Sequence, residues 1–107
     1  MRAITGYILF SVCVLTVATL HAKDGTDNVR AGQKLFARYC AECHGTTGQG
    51  TERAPALQQY VKSSEPTLLV SFIKNGKLRA GMPSWSRLPD QRLSQIVAYL
   101  RVLPDSR

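Results

Sequence analysis

The sequence predicts an all-α domain, because its apolar residues recur at helical spacing and no stretch shows the alternation of a strand. The chain has 107 residues, which is the size of a single domain. Its first 22 residues differ in character from the rest, so we expect the folded domain to span residues 23–107. Three to four short helices joined by long loops are expected, and such loops in a small domain usually wrap around something.

Residues 1–22 have the composition of a secretory leader. Arg2 precedes an apolar stretch from Ile4 to Leu20, and the small residue Ala22 ends the segment. This order is typical of a cleaved signal peptide. The alternative is an uncleaved anchor, because the apolar stretch of about 17 residues is at the lower limit of what crosses a bilayer. On either interpretation the domain is exported, which predicts a periplasmic location, with membrane contact only if the leader is retained.

The first helix is predicted between a flexible lead-in at residues 23–28 and a glycine-rich loop at residues 45–50. Asp27 or Asn28 is expected to cap its start. An irregular segment, residues 52–59, follows the loop. The residues at helical spacing in this first helix are Val29, Gly32, Leu35, Phe36, Tyr39 and Cys40.

Two more helices are predicted in the second half of the chain. Ser63 or Ser64 would cap the first of them, with a proline tolerated in its first turn, and Gly76 would end it with a positive φ. The other would run from about Asp90 to Leu103 and stop before a proline. The expected apolar positions of the two helices are Leu68, Leu69, Phe72 and Ile73, then Leu93, Ile96, Val97 and Leu100.

The chemistry is indicated by the five residues Cys40-Ala41-Glu42-Cys43-His44. This C-x-x-C-H motif is typical of c-type haem attachment. Two thiols can add to the two vinyl groups of a haem, and the adjacent histidine then ligates the iron. The motif therefore predicts one covalently bound haem c, held by Cys40 and Cys43, with His44 as an axial ligand.

Three other interpretations of the motif are open. A structural zinc site needs four protein ligands, and the only other histidine is His21, in the leader. A thioredoxin-like redox pair needs a βαβ pattern, which the sequence lacks. The third alternative is a plain disulfide or two unpaired thiols. All three are weaker than haem attachment.

Met82 is the predicted second axial ligand of the iron. It is the only methionine besides the initiator, and it stands between Gly81 and Pro83. The glycine lets the backbone bend and the proline stiffens the loop that follows. Histidine–methionine ligation raises the reduction potential and leaves no open iron position. It therefore favours electron transfer over catalysis, so we expect an electron-transfer protein and not an enzyme.

The charge of the chain restricts its partners. Thirteen of the 14 Lys and Arg and all seven Asp and Glu lie after residue 22, which gives the domain a formal charge of +6. These basic residues are scattered, without a basic run interleaved with aromatics, so nucleic-acid binding is a poor interpretation. The charge is either an ordinary solvated surface or a means of steering toward an acidic docking surface on a redox partner.

The ordered motifs resemble the small single-haem class I cytochromes c of bacteria. They are most similar to the short haem domain also found in the third subunit of certain terminal oxidases. The resemblance covers residues 29–103. It rests on Gly32 and Phe36, CAECHG at 40–45, Gly48 and Gly50, APAL at 54–57, IKNG at 73–76, GMP at 81–83 with Trp85, and the segment from Ile96 to Leu100.

The resemblance implies a cytochrome c-like fold around one haem and a role for several residues. The carbonyl of Pro55 would accept a hydrogen bond from His44, and Gly32 and Phe36 would meet Tyr99 where the first and last helices cross. Pro89 departs from the family pattern, which often has Ser or Thr at that helix cap. The residues implied to pack against the haem are Leu57, Leu69, Ile73 and Trp85, and Arg53, Tyr60, Lys77 and Arg79 are candidate propionate partners by location only.

The resemblance implies a single-electron carrier that shuttles between periplasmic or membrane redox partners. One alternative is a haem subunit or assembly partner of a larger respiratory or dehydrogenase complex. A haem-based sensor or enzyme is a weaker alternative, because it needs a displaceable methionine.

Overall fold

The computed structural model describes residues 18–105, with side chains from residue 25 onward. Within that range the chain forms five α-helices and one 3₁₀ turn, and its only β-type pairing is an isolated bridge between Lys77 and Met82. The predicted all-α class is confirmed. The elements are α1 (Ala18–Tyr39), α2 (Ala41–His44), α3 (Gln58–Ser63), α4 (Pro66–Asn75), the 3₁₀ turn (Leu78–Ala80) and α5 (Asp90–Leu100).

Helix α1 begins earlier than predicted. It starts at Ala18 and runs through residues 23–28, so the predicted flexible lead-in and its cap were wrong. Glycine is about 1 kcal/mol less favourable than alanine inside a helix, and α1 nevertheless continues through Gly25. Asn28 does not cap the helix, and its side-chain oxygen instead accepts a hydrogen bond from Gln95 Nε2 at 3.2 Å.

Residues 1–17, most of the predicted leader, lie outside the described residues. Across residues 18–105, none of the helices has the length and apolar character needed to cross a membrane.

Helices α4 and α5 match their predicted positions, with differences at their ends. Glu65, not a serine, precedes α4, and the Ser63 hydroxyl donates to the backbone of α3. Pro66 lies in the first turn of α4, where a missing N–H costs no helical bond. Gly76 ends α4 with φ +69° and donates to the Phe72 carbonyl at 2.8 Å, as predicted. Helix α5 ends at Leu100, three residues earlier than expected.

The single turns α2 and α3 bring the helix count above the three to four that were expected. Helix α3 begins inside the segment that was predicted to be irregular, residues 52–59. A six-residue helix carries too few turns for its periodicity to be visible in the sequence. Its buried residues Gln58 and Val61 attach it to the core.

The core forms where α1 crosses α5. A Cβ atom built on Gly32 would lie only 1.8 Å from the carbonyl oxygen of Gln95, so glycine is what allows the two backbones to touch. One turn further along, the rings of Phe36 and Tyr99 are 5.4 Å apart. This crossing was predicted and is confirmed. The buried apolar residues are Phe36, Val61, Ile73, Leu88, Leu93, Ile96, Val97, Leu100 and Leu103.

Candidate haem site

The C-x-x-C-H motif lies at the junction of α1 and α2. The Cys40 N–H donates to the Phe36 carbonyl at 2.9 Å, which continues the hydrogen bonding of α1, and the His44 N–H donates to the Cys40 carbonyl at 2.9 Å. A three-residue separation on a helical turn places Cys40 and Cys43 on the same side. Both thiols are half-buried and free, with no disulfide between them. The local backbone therefore presents two unpaired thiols and a histidine from a single turn.

Burial, and in second place the neighbouring Cys43, raise the pKa of the Cys40 thiol from 9.0 to about 11. Cysteines of thioredoxin-like redox pairs have a lowered pKa instead, because the thiolate is their reactive form. The environment of Cys40 thus differs from that of a redox pair.

The imidazole of His44 is held by a backbone acceptor. Its Nδ1 lies 3.1 Å from the carbonyl oxygen of Pro55, so this nitrogen carries the proton and donates. This is the hydrogen bond that the family resemblance implies. In the neutral imidazole this tautomer leaves the lone pair of Nε2 available, which is the form in which an imidazole nitrogen binds a metal.

The segment between His44 and Leu57 is built so that the Pro55 carbonyl reaches the imidazole. Gly50 donates to the His44 carbonyl at 2.8 Å, and Leu57 donates to the Gly48 carbonyl at 2.9 Å. Gly50 has φ +88°, and a Cβ on it would lie 2.7 Å from the backbone nitrogen of Ala56. The backbone at Gly50 and the backbone at Ala56 therefore pass one another closely within this loop.

Gln58 is a residue of this loop system that the sequence analysis missed. It is only 6% exposed, and its Nε2 donates to the Thr47 carbonyl at 2.9 Å. Its Oε1 is buried without a partner among the described residues. A glutamine in an amphipathic turn looks like a surface residue, so no sequence signal distinguishes it from the exposed Gln59.

Met82 lies on a tight loop after α4. Its N–H donates to the Lys77 carbonyl at 3.1 Å and its carbonyl accepts from the Lys77 N–H at 2.9 Å. Gly81 has φ +86°, as the sequence predicted for a bend here. A Cβ on Gly76 would lie 2.5 Å from the Pro83 carbonyl oxygen, so the end of α4 touches the loop directly. The loop is fixed by backbone contacts on both sides of Met82.

Three of the four residues implied to pack against the haem are partly buried, and the fourth is buried. Leu57, Leu69 and Trp85 pack against the core, as Met82 does, whereas Ile73 belongs to the core itself. Leu68 and Phe72, which were expected on the apolar face of α4, are 64% and 52% exposed. Leu78, to which the sequence analysis gave no role, is 74% exposed. Such exposure is the signal that an apolar surface is meant to be covered.

The candidate propionate partners are placed as follows. Arg53 donates from Nη1 to Glu42 at 3.2 Å, both side chains being exposed, so this arginine bonds to the haem motif itself. Tyr60 is 63% exposed, and Lys77 and Arg79 are exposed beside Met82. Pro89 precedes α5 without a side-chain cap, and Asp90 at the first position instead accepts from Lys74 at 2.9 Å.

The donor set fits a c-type haem. It offers two free thiols for thioether bonds, an oriented imidazole, one thioether sulfur and half-buried apolar side chains. Among the described side chains, residues 25–105, no group of three or more His, Cys, Asp or Glu is arranged to hold a metal ion by itself. The fold and this donor set define the chain as a cytochrome c-like domain.

Comparison with known proteins shows which family this domain belongs to. Residues 27–100 match the family described as cytochrome c oxidase, cbb3-type, subunit III, and the chain belongs to that family. A solved structure, cytochrome cL from the marine methylotrophic bacterium Methylophaga aminisulfidivorans MPT, superimposes with a TM-score of 0.62 and 26% identity. That match covers 86% of this chain and 71% of the other. The expected cytochrome c-like fold is confirmed.

Curated relatives carry the name of one oxidase subunit. The chain is 35% identical over 86 residues to the cbb3-type cytochrome c oxidase subunit CcoP of Azospirillum sp. (strain B510), covering 70% of this chain and 28% of that protein. It is 31% identical over 96 residues to subunit FixP of Bradyrhizobium diazoefficiens, covering 84% and 32% respectively. The chain thus spans only about a third of the length of these relatives. The expected resemblance to the short haem domain of a terminal oxidase subunit is confirmed.

Proposed function

We propose that the protein is a single-electron carrier with one covalently bound haem c. When bound, the haem would supply one-electron redox chemistry. Cys40 and Cys43 would form its thioether bonds, and His44 and Met82 would ligate its iron. Pro55, Leu57 and Trp85 form its immediate environment.

The hydrogen bond between His44 Nδ1 and the Pro55 carbonyl is the observation that carries this proposal. A metal-binding histidine characteristically donates its other ring nitrogen to a carbonyl or carboxylate, which fixes the tautomer and raises the basicity of the ligating nitrogen. Here the acceptor is a backbone atom and the histidine directly follows two free thiols. A histidine with a purely structural role has no need of that combination.

Each remaining residue has a defined task in this proposal. The two cysteines hold the haem by covalent bonds, which a domain with so small a core requires. The thioether of Met82 would favour the reduced state and thereby raise the potential. Leu57 and Trp85 would exclude water from one side of the site, which would disfavour the more highly charged oxidised form.

The electron partners are proposed to be redox proteins of the periplasm or the membrane. The formal charge of +6 after residue 22 suits steering toward an acidic docking surface. The leader at residues 1–22 would direct the domain to the periplasm, or anchor it there if it is retained.

A second candidate function is a haem subunit within a larger respiratory complex. The relatives that carry the name of an oxidase subunit favour it. The redox chemistry is the same, and only the partner differs. A tagged chain that separates with soluble periplasmic proteins supports the shuttle, whereas one that co-purifies with oxidase subunits supports the second function.

The test of ligation is an optical spectrum of the full chain, exported in a host that attaches haem. The oxidised protein is expected to show the weak near-infrared band of methionine bound to ferric iron. Met82→Ala should lose this band, and Ser86→Ala, four residues further along the same loop, should keep it. An attached haem without the band, combined with rapid carbon monoxide binding in the reduced state, would instead establish the sensor or enzyme alternative.

A further inference from the structure

We infer that Tyr39 is a positioning residue that holds the Met82 loop in place through a ring contact with Trp85. The inference rests on the proposed function, because it concerns how firmly Met82 stays on the iron. Tyr39 immediately precedes Cys40, and Trp85 follows Met82 by three residues. The contact therefore joins the two parts of the chain that would carry the proposed iron ligands, His44 and Met82.

The geometry of the ring pair is that of an attractive aromatic contact. The centroids of Tyr39 and Trp85 are 5.1 Å apart and the ring planes are inclined by 52°. Aromatic pairs prefer tilted or offset arrangements at centroid distances of about 4.5–7 Å. Both residues are half-buried and pack against the core cluster, so neither ring is free to turn away into solvent.

Two arginines extend the pair on the surface. The guanidinium carbon of Arg38 lies 5.3 Å from the centroid of Tyr39, and that of Arg87 lies 4.9 Å from the centroid of Trp85. Both distances are within the range of cation–π attraction, about 6 Å. In the described part of the chain neither arginine pairs with a carboxylate. Each guanidinium thus lies against one of the two rings, and these cation–π contacts stabilise the ring arrangement.

The other attachments of the Met82 loop lie on a different side. Met82 pairs with Lys77, the Ser84 hydroxyl donates to the Lys74 carbonyl at 2.7 Å, and the Trp85 N–H donates to the Ile73 carbonyl at 3.3 Å. The partner residues in these hydrogen bonds, Ile73, Lys74 and Lys77, belong to α4 or follow it within two residues. The ring contact, in contrast, reaches α1.

The loop is thus tied to α4 by hydrogen bonds and to the haem-attachment helix by the aromatic pair. If the ring contact is lost, the loop keeps its own hydrogen bonds but is less strongly held against α1. Conformations in which Met82 has left its place then become more populated. An external ligand that competes with Met82 binds only to those conformations, so its apparent affinity rises with their population.

The test is a titration of the oxidised, haem-loaded full chain with imidazole. Binding is monitored by the loss of the methionine band. Removing an aromatic pair of this kind corresponds to roughly a 2- to 10-fold change in an equilibrium. Tyr39→Leu is therefore expected to bind imidazole about 2- to 10-fold more tightly than the unaltered protein. Tyr39→Phe keeps the ring and should bind as the unaltered protein does. Gln59→Leu, which changes an exposed side chain of α3 with no role in the proposed site, is the control and should also leave the affinity unchanged.

Arg87→Gln keeps both rings and provides a second, milder variant. It should raise imidazole affinity about 2-fold through the lost cation–π contact, and it decides the question if Tyr39→Leu does not take up haem. A methionine band in the unaltered protein with unchanged imidazole affinity in these variants overturns the inference and leaves the proposed function intact. No methionine band in the unaltered protein overturns both.

Discussion

Gly32→Ala is the substitution whose effect the structure predicts most definitely. The added methyl carbon would lie 1.8 Å from the Gln95 carbonyl oxygen and 3.0 Å from Tyr99 Cβ. Carbon and oxygen in contact are about 3.3–3.6 Å apart, so the two helices would have to separate by about 1.5 Å at their crossing. The side chains of Phe36 and Leu93, which are 1% and 0% exposed, would lose packing as a result.

The expected cost follows from two opposing terms. Over-packing of this kind destabilises by about 1–3 kcal/mol or more, whereas replacing a helical glycine by alanine stabilises by about 1 kcal/mol. With a backbone atom as the obstacle we expect the upper part of the first range and a net loss of about 2 kcal/mol. For a domain of this size the loss corresponds to a fall in Tm of roughly 8–16 °C.

Gly25→Ala on the same helix is the matched control. A Cβ at that position meets nothing within 4 Å, so the helix-propensity gain is unopposed and stability should stay equal or rise by up to about 1 kcal/mol. Chemical denaturation of the haem-loaded protein measures both variants. If Gly32→Ala is as stable as the unaltered protein, the crossing of α1 and α5 does not depend on glycine and the argument is wrong.

Three further predictions concern the loops around the site. Gly76→Ala forces a side chain into φ +69° and against the loop that carries Met82, so the methionine band should weaken while the thioether attachment persists. Gly50→Ala displaces the chain segment whose carbonyl accepts from His44. Loss of a hydrogen bond of about 1 kcal/mol makes the imidazole less basic, which disfavours ferric iron and should raise the reduction potential by about 40 mV in voltammetry. Gln58→Leu removes the buried amide that bonds to the glycine-rich loop and should lower the free energy of unfolding by about 1 kcal/mol in denaturant titrations. Gln59→Leu, at the exposed neighbouring position, should leave the free energy of unfolding unchanged.

The sequence was sufficient for those parts of the fold that depend on local spacing. The C-x-x-C-H motif can be recognised from five consecutive residues, because both thiols and the histidine must reach one ligand from neighbouring positions. The apolar positions of α5 repeat over three turns, so the buried face was predicted correctly at Leu93, Ile96 and Val97. Gly32 and Phe36 were placed at the crossing by family resemblance, and the structure confirms that contact.

The remaining contacts depend on residues far apart in the chain. The Thr47 carbonyl meets Gln58 and the side chain of Glu42 meets Arg53 across eleven residues each. Neither pair has a pattern, since only the path of the loop decides which groups become neighbours. The ring contact between Tyr39 and Trp85 is of the same kind, with nothing in the sequence to connect the two. Helix ends were also predicted poorly. Several consecutive residues could each cap a helix, and tertiary contacts decide which of them does.

The most direct test of the central claim is the mass and the alkaline pyridine spectrum of the exported chain. One haem is expected on each chain, with both vinyl groups saturated in the pyridine spectrum. If Cys40→Ala still retains its haem, its spectrum should show one remaining vinyl group. Cys43→Ala should behave in the same way, because each thiol forms one thioether bond. A chain that leaves a haem-attaching host with its two thiols still free would contradict the account.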